Sequence, residues 1–403
     1  MRIKLKIFLV ILSNTLILYS FVCLICGFLI KNLNNKIKLL NPDKNLIRAT
    51  YPNYKDLPND FAKKLFEEYA APGSKYSSFV GYRRNNFSGE VVNIDRFGFR
   101  KSINHEMNNS FWFLGGSTMW GTGSDDKNTI PSIFAKITNE PVLNLGESGF
   151  NSFQELIQLQ ILLAQGYNPK MVIFYDGVND GGDFCKNNKF QQLQHAYTKV
   201  FTKIISDKKK LDKITNKQKV FNSENFYIKI KSFYLKPLEY INLIKIYDKN
   251  KSKTSNSDKI KNIKLTEKYL FCDDPEYAKK ASNITISSWI NSYLILKDKN
   301  IPVKFILQPT SHYYSSEYEL GYLINLIKKQ IVNEQESYIG YYQSLKQEWH
   351  LRCKKLDICD LFVDLSEIFF NVKEPIFIDT VHISPNGNKI IAEKIVKELS
   401  NIY

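Results

Sequence analysis

Histidine is scarce in this chain, with five residues among 403 and no two at metal-ligand spacing. Outside the N-terminal segment there is no Cys-x-x-Cys either. These absences remove the common tetrahedral zinc sites, which need closely spaced Cys or His ligands, and no metal is expected. No segment repeats at a fixed period, which excludes solenoids and propellers. No helix-turn-helix, zinc-finger or RNA-binding signature is present, so no nucleic-acid partner is expected, despite a formal net charge of +16. Acidic residues are outnumbered, 40 against 56 Lys and Arg, and much of the excess is Lys between Lys186 and Lys264. A solvated Lys-rich face accounts for it. An anionic membrane surface or an acidic polymer is the other kind of partner such a balance suits.

Long uncharged apolar runs are as rare, with one exception. From Ile7 to Ile30 only Ser13, Asn14, Thr15 and Ser20 interrupt the apolar character, and no charge does. At about 1.5 Å per residue, a helix over this run crosses a hydrocarbon core of about 30 Å. Arg2, Lys4 and Lys6 precede it, and Lys31, Lys36 and Lys38 follow. A cleaved signal peptide has a shorter apolar core and a small-x-small site, which the stretch Cys26-Gly27-Phe28 does not supply. Cys26 follows Ile25, not the small residue that precedes a lipidated cysteine. The expectation is therefore an uncleaved signal anchor, amino end inside and the bulk of the chain outside. Cys185, Cys272, Cys353 and Cys359 suit an oxidising compartment. They allow three connectivities. Cys353 with Cys359 would close a short loop, and Cys185 with Cys272 would join the two ends of the Lys-rich segment. Four free thiols are the alternative.

Three regions follow: an anchor at 1–35, a stalk and N-terminal extension at 36–110, and a main domain at 111–403. The segment from Val91 to Arg100 reads as an edge strand leading into that domain. Phe111–Leu114 is a continuous apolar run, as in strands buried on both faces. Pro131 opens a helix, Pro141–Leu145 is a second strand, and Met171–Tyr175 a third. Asn151 or Ser152 caps the helix between them, with Glu155 placed as in a capping box, and Gly166 ends it. After an insertion at about 186–270 the pattern resumes: a helix over Ala281–Lys297, a strand at Pro302–Leu307, helical sequence over Leu320–Arg352, a strand at Leu361–Asp364 and a closing helix over Asn386–Leu399. Strand, helix, strand at this spacing dictates parallel βαβ units and a three-layer α/β/α sandwich around a parallel sheet.

Ligands of such sheets bind beyond the carboxyl ends of the strands. After the first strand stand Gly115-Gly116-Ser117, a nucleophile behind two glycines that let backbone approach closely. After the second, Gly149 can turn a backbone N–H into the crevice just before a helix cap. After the third comes Gly177-Val178-Asn179-Asp180, whose Asn carries an amide donor. Near the end, Asp379 precedes His382 by three residues, close enough to orient the ring through Nδ1. Each element alone is ordinary turn chemistry. Their order on successive strands is what makes a site.

This combination resembles the SGNH (GDSL-type) hydrolases over roughly 111–399, with the insertion outside it. Gly115-Gly116-Ser117 stands for their Gly-Asp-Ser block. Gly149 falls five residues after Asn144, as their second-block Gly does after an Asn. Gly177-Val178-Asn179-Asp180 matches Gly-x-Asn-Asp, and Asp379–His382 matches Asp-x-x-His. Gly116 departs from the family's Asp, a residue without a catalytic role there. The resemblance implies a serine esterase with Ser117 as nucleophile, His382 as base and Asp379 as its orienter. Ser117, Gly149 and Asn179 would form the oxyanion hole, with no cofactor. Membrane-tethered relatives act on bacterial surface polysaccharides, which implies O-acyl, notably acetyl, groups on an extracytoplasmic glycan as substrate and the bacterial cytoplasmic membrane as location. An O-acyltransferase using the same residues, a lipid esterase and a non-catalytic glycan-binding or assembly protein are the alternatives. Trp120, Tyr175 and the Gln308–Tyr313 loop are candidates to line a sugar site, or simply packing.

Overall fold

The computed structural model describes residues 2–40, 48–55, 57–186, 233–242, 244–245, 270–313 and 330–400, with Leu193, Thr198 and Lys203. The chain divides into two compact units, 1–47 with 207–266, and 48–206 with 267–403. Most of the Lys-rich insertion lies outside the described residues, as do 41–47 of the expected stalk and 320–329 of the helical stretch before Arg352.

The first unit is dominated by helix α1 (Arg2–Leu40). Its stretch Lys6–Leu33 is long and apolar enough to cross a membrane, a property signal sequences share. Ile17 and Phe28 are among many large apolar side chains exposed along it. Within the same unit Tyr19 stacks on Tyr234 and donates its hydroxyl to the Tyr234 carbonyl at 2.9 Å.

The second unit opens with helix α2 (Asn59–Ala70), a hairpin of β1 (Ser74–Ser77) and β2 (Gly81–Arg84), and a short antiparallel pair of β3 (Phe87–Ser88) and β4 (Asn93–Ile94). Then the βαβ pattern begins: β5 (Phe111–Gly115), the single turn α3 (Ser117–Trp120), α4 (Ile130–Thr138), β6 (Val142–Asn144), α5 (Ser152–Ala164), β7 (Met171–Asp176) and α6 (Val178–Phe184). The tail adds α7 (Pro275–Asp298), β8 (Val303–Leu307), α8 (Gln330–Leu356), β9 (Phe362–Asp364) and α9 (Pro385–Leu399). Strands β5 to β9 form one parallel sheet in the order β6-β5-β7-β8-β9. The segment Val91–Arg100 contributes β4 and then an isolated bridge from Arg100 to Asn144 beside β6.

Successive strand residues face opposite layers. Trp112, Leu114, Val172, Phe174, Phe305 and Leu307 pack with α5, α7 and α8. Phe111, Phe113, Ile173, Tyr175 and Ile306 pack with α4 and α9. Every residue of β5, β6 and β7 is buried, which is why those strands read as continuous apolar runs instead of alternating ones. The three-layer parallel architecture expected from the sequence is the one observed.

Caps set the helix entries. Thr129 accepts from Ser132 N at the start of α4, with Pro131 in the first turn. Asn151, not Ser152, caps α5 by accepting from Gln154 N. The capping-box reading of Glu155 is therefore wrong: its carboxyl is buried in the core. Two disulfides form, Cys185–Cys272 and Cys353–Cys359, with Cα atoms 5.3 and 4.8 Å apart.

Candidate active site

The order of the central strands reverses between β5 and β7, and open α/β sheets bind ligands at that switch point. Ser117 follows β5 and Asn179 follows β7, so both sit at its rim. Ser117 is the first residue of α3, behind Gly116. Its Oγ lies 2.7 Å from His382 Nε2. His382 Nδ1 lies 2.9 and 2.8 Å from the two oxygens of Asp379. With Nδ1 protonated toward Asp379, Nε2 is left as an acceptor for the Ser117 hydroxyl.

The turn bearing these two residues is rigid. Asp379 Oδ1 accepts from the backbone N–H groups of Val381 and His382 at 3.0 and 2.8 Å. Ile378 N donates to the His382 carbonyl at 2.9 Å and closes the turn. The Gln308–Tyr313 loop braces it from beside β8. The Thr380 carbonyl accepts from Thr310 Oγ1 at 3.0 Å, Ser311 Oγ at 2.8 Å and Ser311 N at 3.2 Å. This loop therefore buttresses the turn. Gln308, Thr310, Ser311 and His312 are buried, and so are Trp120 and Tyr175, the other residues expected to line a sugar site. Burial draws the His312 ring down to about 4 against the pull of the Asp379 charge, so it is neutral near pH 7.

One partner of Asp379 escaped the sequence reading. Arg48, at the entry to the second unit, donates from Nη2 to Asp379 Oδ2 at 2.6 Å. Burial would raise the Asp379 carboxyl, but His382 and then Arg48 outweigh it and hold the group well below the ordinary carboxylate range. Arg48 stands 331 residues from Asp379, so no spacing signal announces it.

Asn179 and Gly149 approach from the other strands. Asn179 Nδ2 donates to the Phe150 carbonyl at 2.6 Å, which leaves its second N–H to point elsewhere. Gly149 precedes Phe150 and has φ +82°, a left-handed conformation that favours glycine. Asn144 explains the spacing to Gly149. Its Nδ2 donates to the Met119 carbonyl at 3.1 Å and its Oδ1 accepts from Gly146 N at 3.0 Å, locking the turn after β6 onto α3. Gly116 also acquires a reason. A Cβ there would collide with Asn179 Nδ2 and stand 3.3 Å from the Phe150 carbonyl oxygen. In this chain the Asn179 amide occupies the space an Asp side chain at 116 would need to cross. Ser117, Gly149, Asn179, Asp379 and His382 are each partly exposed on a framework that is otherwise mostly buried.

Behind Asn179 lies a buried carboxyl group cluster. Asp176, the last residue of β7, accepts from Trp289 Nε1 at 2.7 Å. Asp180 Oδ1 accepts from Ser152 Oγ at 2.5 Å and Thr285 Oγ1 at 2.9 Å. Glu155 is fully buried among these carboxyl groups, and neither of its oxygens finds a hydrogen-bond donor. Burial, then the Asp180 charge, pushes Asp176 up to about 8. Burial and its acidic neighbours raise Glu155 well above its usual range. These groups clamp both sides of the Gly177–Asn179 turn. The sequence carried a weak hint of them, since Asp176 and Asp180 flank that turn, but nothing marked Glu155 as their partner.

Several solved structures are similar to this chain at low identity. A GDSL-like lipase from Bacteroides thetaiotaomicron is 14% identical, with a TM-score of 0.35 over 73% of this chain and 89% of that one. A member of the lipolytic G-D-S-L family from Veillonella parvula is 8% identical, with a TM-score of 0.35 over 71% and 96%. A mutant of an acetyl-xylooligosaccharide esterase from Geobacillus is 13% identical, with a TM-score of 0.31 over 73% and 95%. The sequence itself matches no family model and no curated protein.

Proposed function

We propose that this chain is a serine esterase of the SGNH type that removes O-acyl groups, acetyl in particular, from an extracytoplasmic glycan. The observation that carries the reading is the continuous hydrogen-bonded line Ser117 Oγ, His382 Nε2, His382 Nδ1, Asp379 at 2.7 to 2.9 Å. A hydroxyl, a base and an orienting carboxylate in that sequence suit acyl transfer to serine.

Ser117 Oγ attacks the ester carbonyl carbon while His382 Nε2 takes its proton. The Asp379 carboxylate, held by Arg48 and two backbone N–H groups, stabilises the imidazolium. The N–H groups of Ser117 and Gly149 and the free N–H of Asn179 Nδ2 receive the oxyanion. His382 then protonates the departing alcohol oxygen as the C–O bond breaks, leaving acyl-Ser117. Water repeats the cycle, giving its proton to His382, and releases the acid and free Ser117.

The glycan is inferred from the N-terminal helix Lys6–Leu33, which suits a single-pass anchor in the bacterial cytoplasmic membrane, and from the SGNH motifs together. The test is hydrolysis of p-nitrophenyl acetate and of acetylated oligosaccharide by the purified full chain in detergent, beside Ser117→Ala and His382→Ala. We expect both variants to lose at least 10³-fold in kcat. Undiminished turnover by Ser117→Ala overturns the reading. Acylated acceptor sugar in place of free acetate would identify transfer instead of hydrolysis.

A further inference from the structure

The turn after β6 has two possible forms, and only one of them can aim the Gly149 N–H at the crevice. Phe150 N donates to the Glu147 carbonyl at 3.1 Å, which closes a turn over Glu147–Phe150. Of its two central residues only Gly149 has a positive φ, at +82°. That is the type II form, which favours glycine at the third position. Types I and II differ by a half-turn of the central peptide, here the one that joins Ser148 to Gly149. The form the turn takes therefore decides where the Gly149 N–H points.

Every polar atom of Ser148 is engaged. Its carbonyl accepts from the Tyr82 hydroxyl at 2.7 Å. Its Oγ accepts from Arg84 Nη2 at 3.0 Å. Its N–H donates to Glu147 Oε1 at 2.9 Å, and Glu147 Oε2 accepts from Arg84 N at 3.0 Å. Arg84 is fixed in turn. Its Nη1 donates to the Tyr69 carbonyl at 2.9 Å, and its guanidinium lies 4.7 and 4.9 Å from the ring centroids of Tyr69 and Trp120. Tyr82 is buried, with its ring edge-on to Phe150 at 5.4 Å. Strand β2 thus delivers two side chains to one residue of the turn.

In a planar trans peptide the C=O and the following N–H point in opposite directions. The Tyr82 hydroxyl holds the Ser148 oxygen, so the Gly149 N–H faces away from Tyr82. That N–H donates to no group among the described residues. Glycine takes either sign of φ with ease, so Gly149 itself does not hold the turn in one form. A flipped peptide would replace the donor with a carbonyl oxygen, which repels a developing negative charge.

We propose that Tyr82 is a positioning residue of the oxyanion hole, its hydroxyl fixing the Ser148–Gly149 peptide so that the Gly149 N–H faces the crevice. This rests on the serine esterase reading, in which Gly149 is a donor, and adds a component to it. Tyr82 touches no reacting atom and acts through the peptide it holds.

The test is p-nitrophenyl acetate hydrolysis by the full chain in detergent, with Tyr82→Phe, Gly149→Ala, their double variant and Ser117→Ala, beside a crystal structure of Tyr82→Phe. Tyr82→Phe deletes one oxygen and should lower kcat at least tenfold with KM within twofold, since the donor acts when charge develops. Gly149→Ala disfavours the positive φ and should lower kcat comparably. The double variant should fall no further than the lower single, because both act on one peptide. In the Tyr82→Phe structure the Ser148 carbonyl should point to the opposite face, with a negative φ at Gly149. Tyr82→Met fills the same space without a donor and repeats the measurement if Tyr82→Phe does not fold. Three results each overturn the proposal: kcat of Tyr82→Phe within twofold of the parent, multiplied losses in the double variant, or an unflipped peptide in its structure. Full activity in Ser117→Ala would instead overturn the esterase reading, and the Tyr82→Phe structure would still decide whether the hydroxyl sets the peptide.

Discussion

Gly116→Ala is the substitution that tests the site geometry most directly. Gly116 has φ −78°, which any L residue adopts, so the change brings no backbone strain. What it brings is a Cβ in collision with Asn179 Nδ2, and close to Asn179 Cγ at 3.2 Å. Phe150 cannot retreat easily, because it is fully buried. The Asn179 amide must therefore swing away from the crevice. Losing one oxyanion donor costs about 10²–10³ in kcat, or roughly 3–4 kcal/mol of transition-state stabilisation. KM should change little, since the donor acts mainly when charge develops. The overpacking itself should cost about 1–3 kcal/mol of stability. The assay is p-nitrophenyl acetate hydrolysis by the full chain, with Gly116→Ala, Asn179→Ala and the double variant measured together. Both singles should fall to a similar kcat, and the double variant should fall no further while regaining the lost stability. If Gly116→Ala keeps kcat within threefold, Asn179 is not the donor or does not sit where the structure has it.

Other consequences follow from the same contacts. Arg48→Met removes a charge-assisted hydrogen bond on Asp379 and should lower kcat/KM by roughly tenfold, with Arg48→Lys in between; a rate equal to the parent's would refute a positioning role. Asp176 has a folded-state pKa raised to about 8, so the folded chain holds a proton that the unfolded chain releases above about pH 4. Stability from this group is therefore full below about pH 4 and declines as pH rises toward 8, by roughly 1 kcal/mol per unit. Thermal melts across pH 4–8 should show that decline, and Asp176→Asn should make it shallower, with Glu155, raised in the same cluster, supplying the remainder; an unchanged slope in the variant would locate the titration elsewhere. Cys185 and Cys272 close a loop of 87 residues, so replacing both with Ala should cost about 4.6 kcal/mol by the chain-entropy argument, read as a lower midpoint in urea.

The sheet was legible because its central strands are buried on both faces. Such strands must be apolar at every position, as Phe111–Leu114 and Met171–Tyr175 are, and helices with capping residues separate them. The residues after each strand were legible for a related reason. A parallel sheet delivers the carboxyl ends of its strands to one edge, so Ser117, Gly149 and Asn179 could be placed near one another from their order alone. Asp379 and His382 added a local spacing that geometry respects. What depends on contact between distant segments was not legible. Arg48 reaches Asp379 across 331 residues. Glu155 read as a cap, yet it lies fully buried beside Asp176 and Asp180. Trp120 and Tyr175 read equally as sugar-site lining or as packing, and only the fold shows their rings filling the core. Sequence order determined which residues line the crevice edge, because backbone topology fixes where each strand ends. Only the tertiary structure decided which side chains face each other there, because that depends on side-chain packing and on which buried charges find partners.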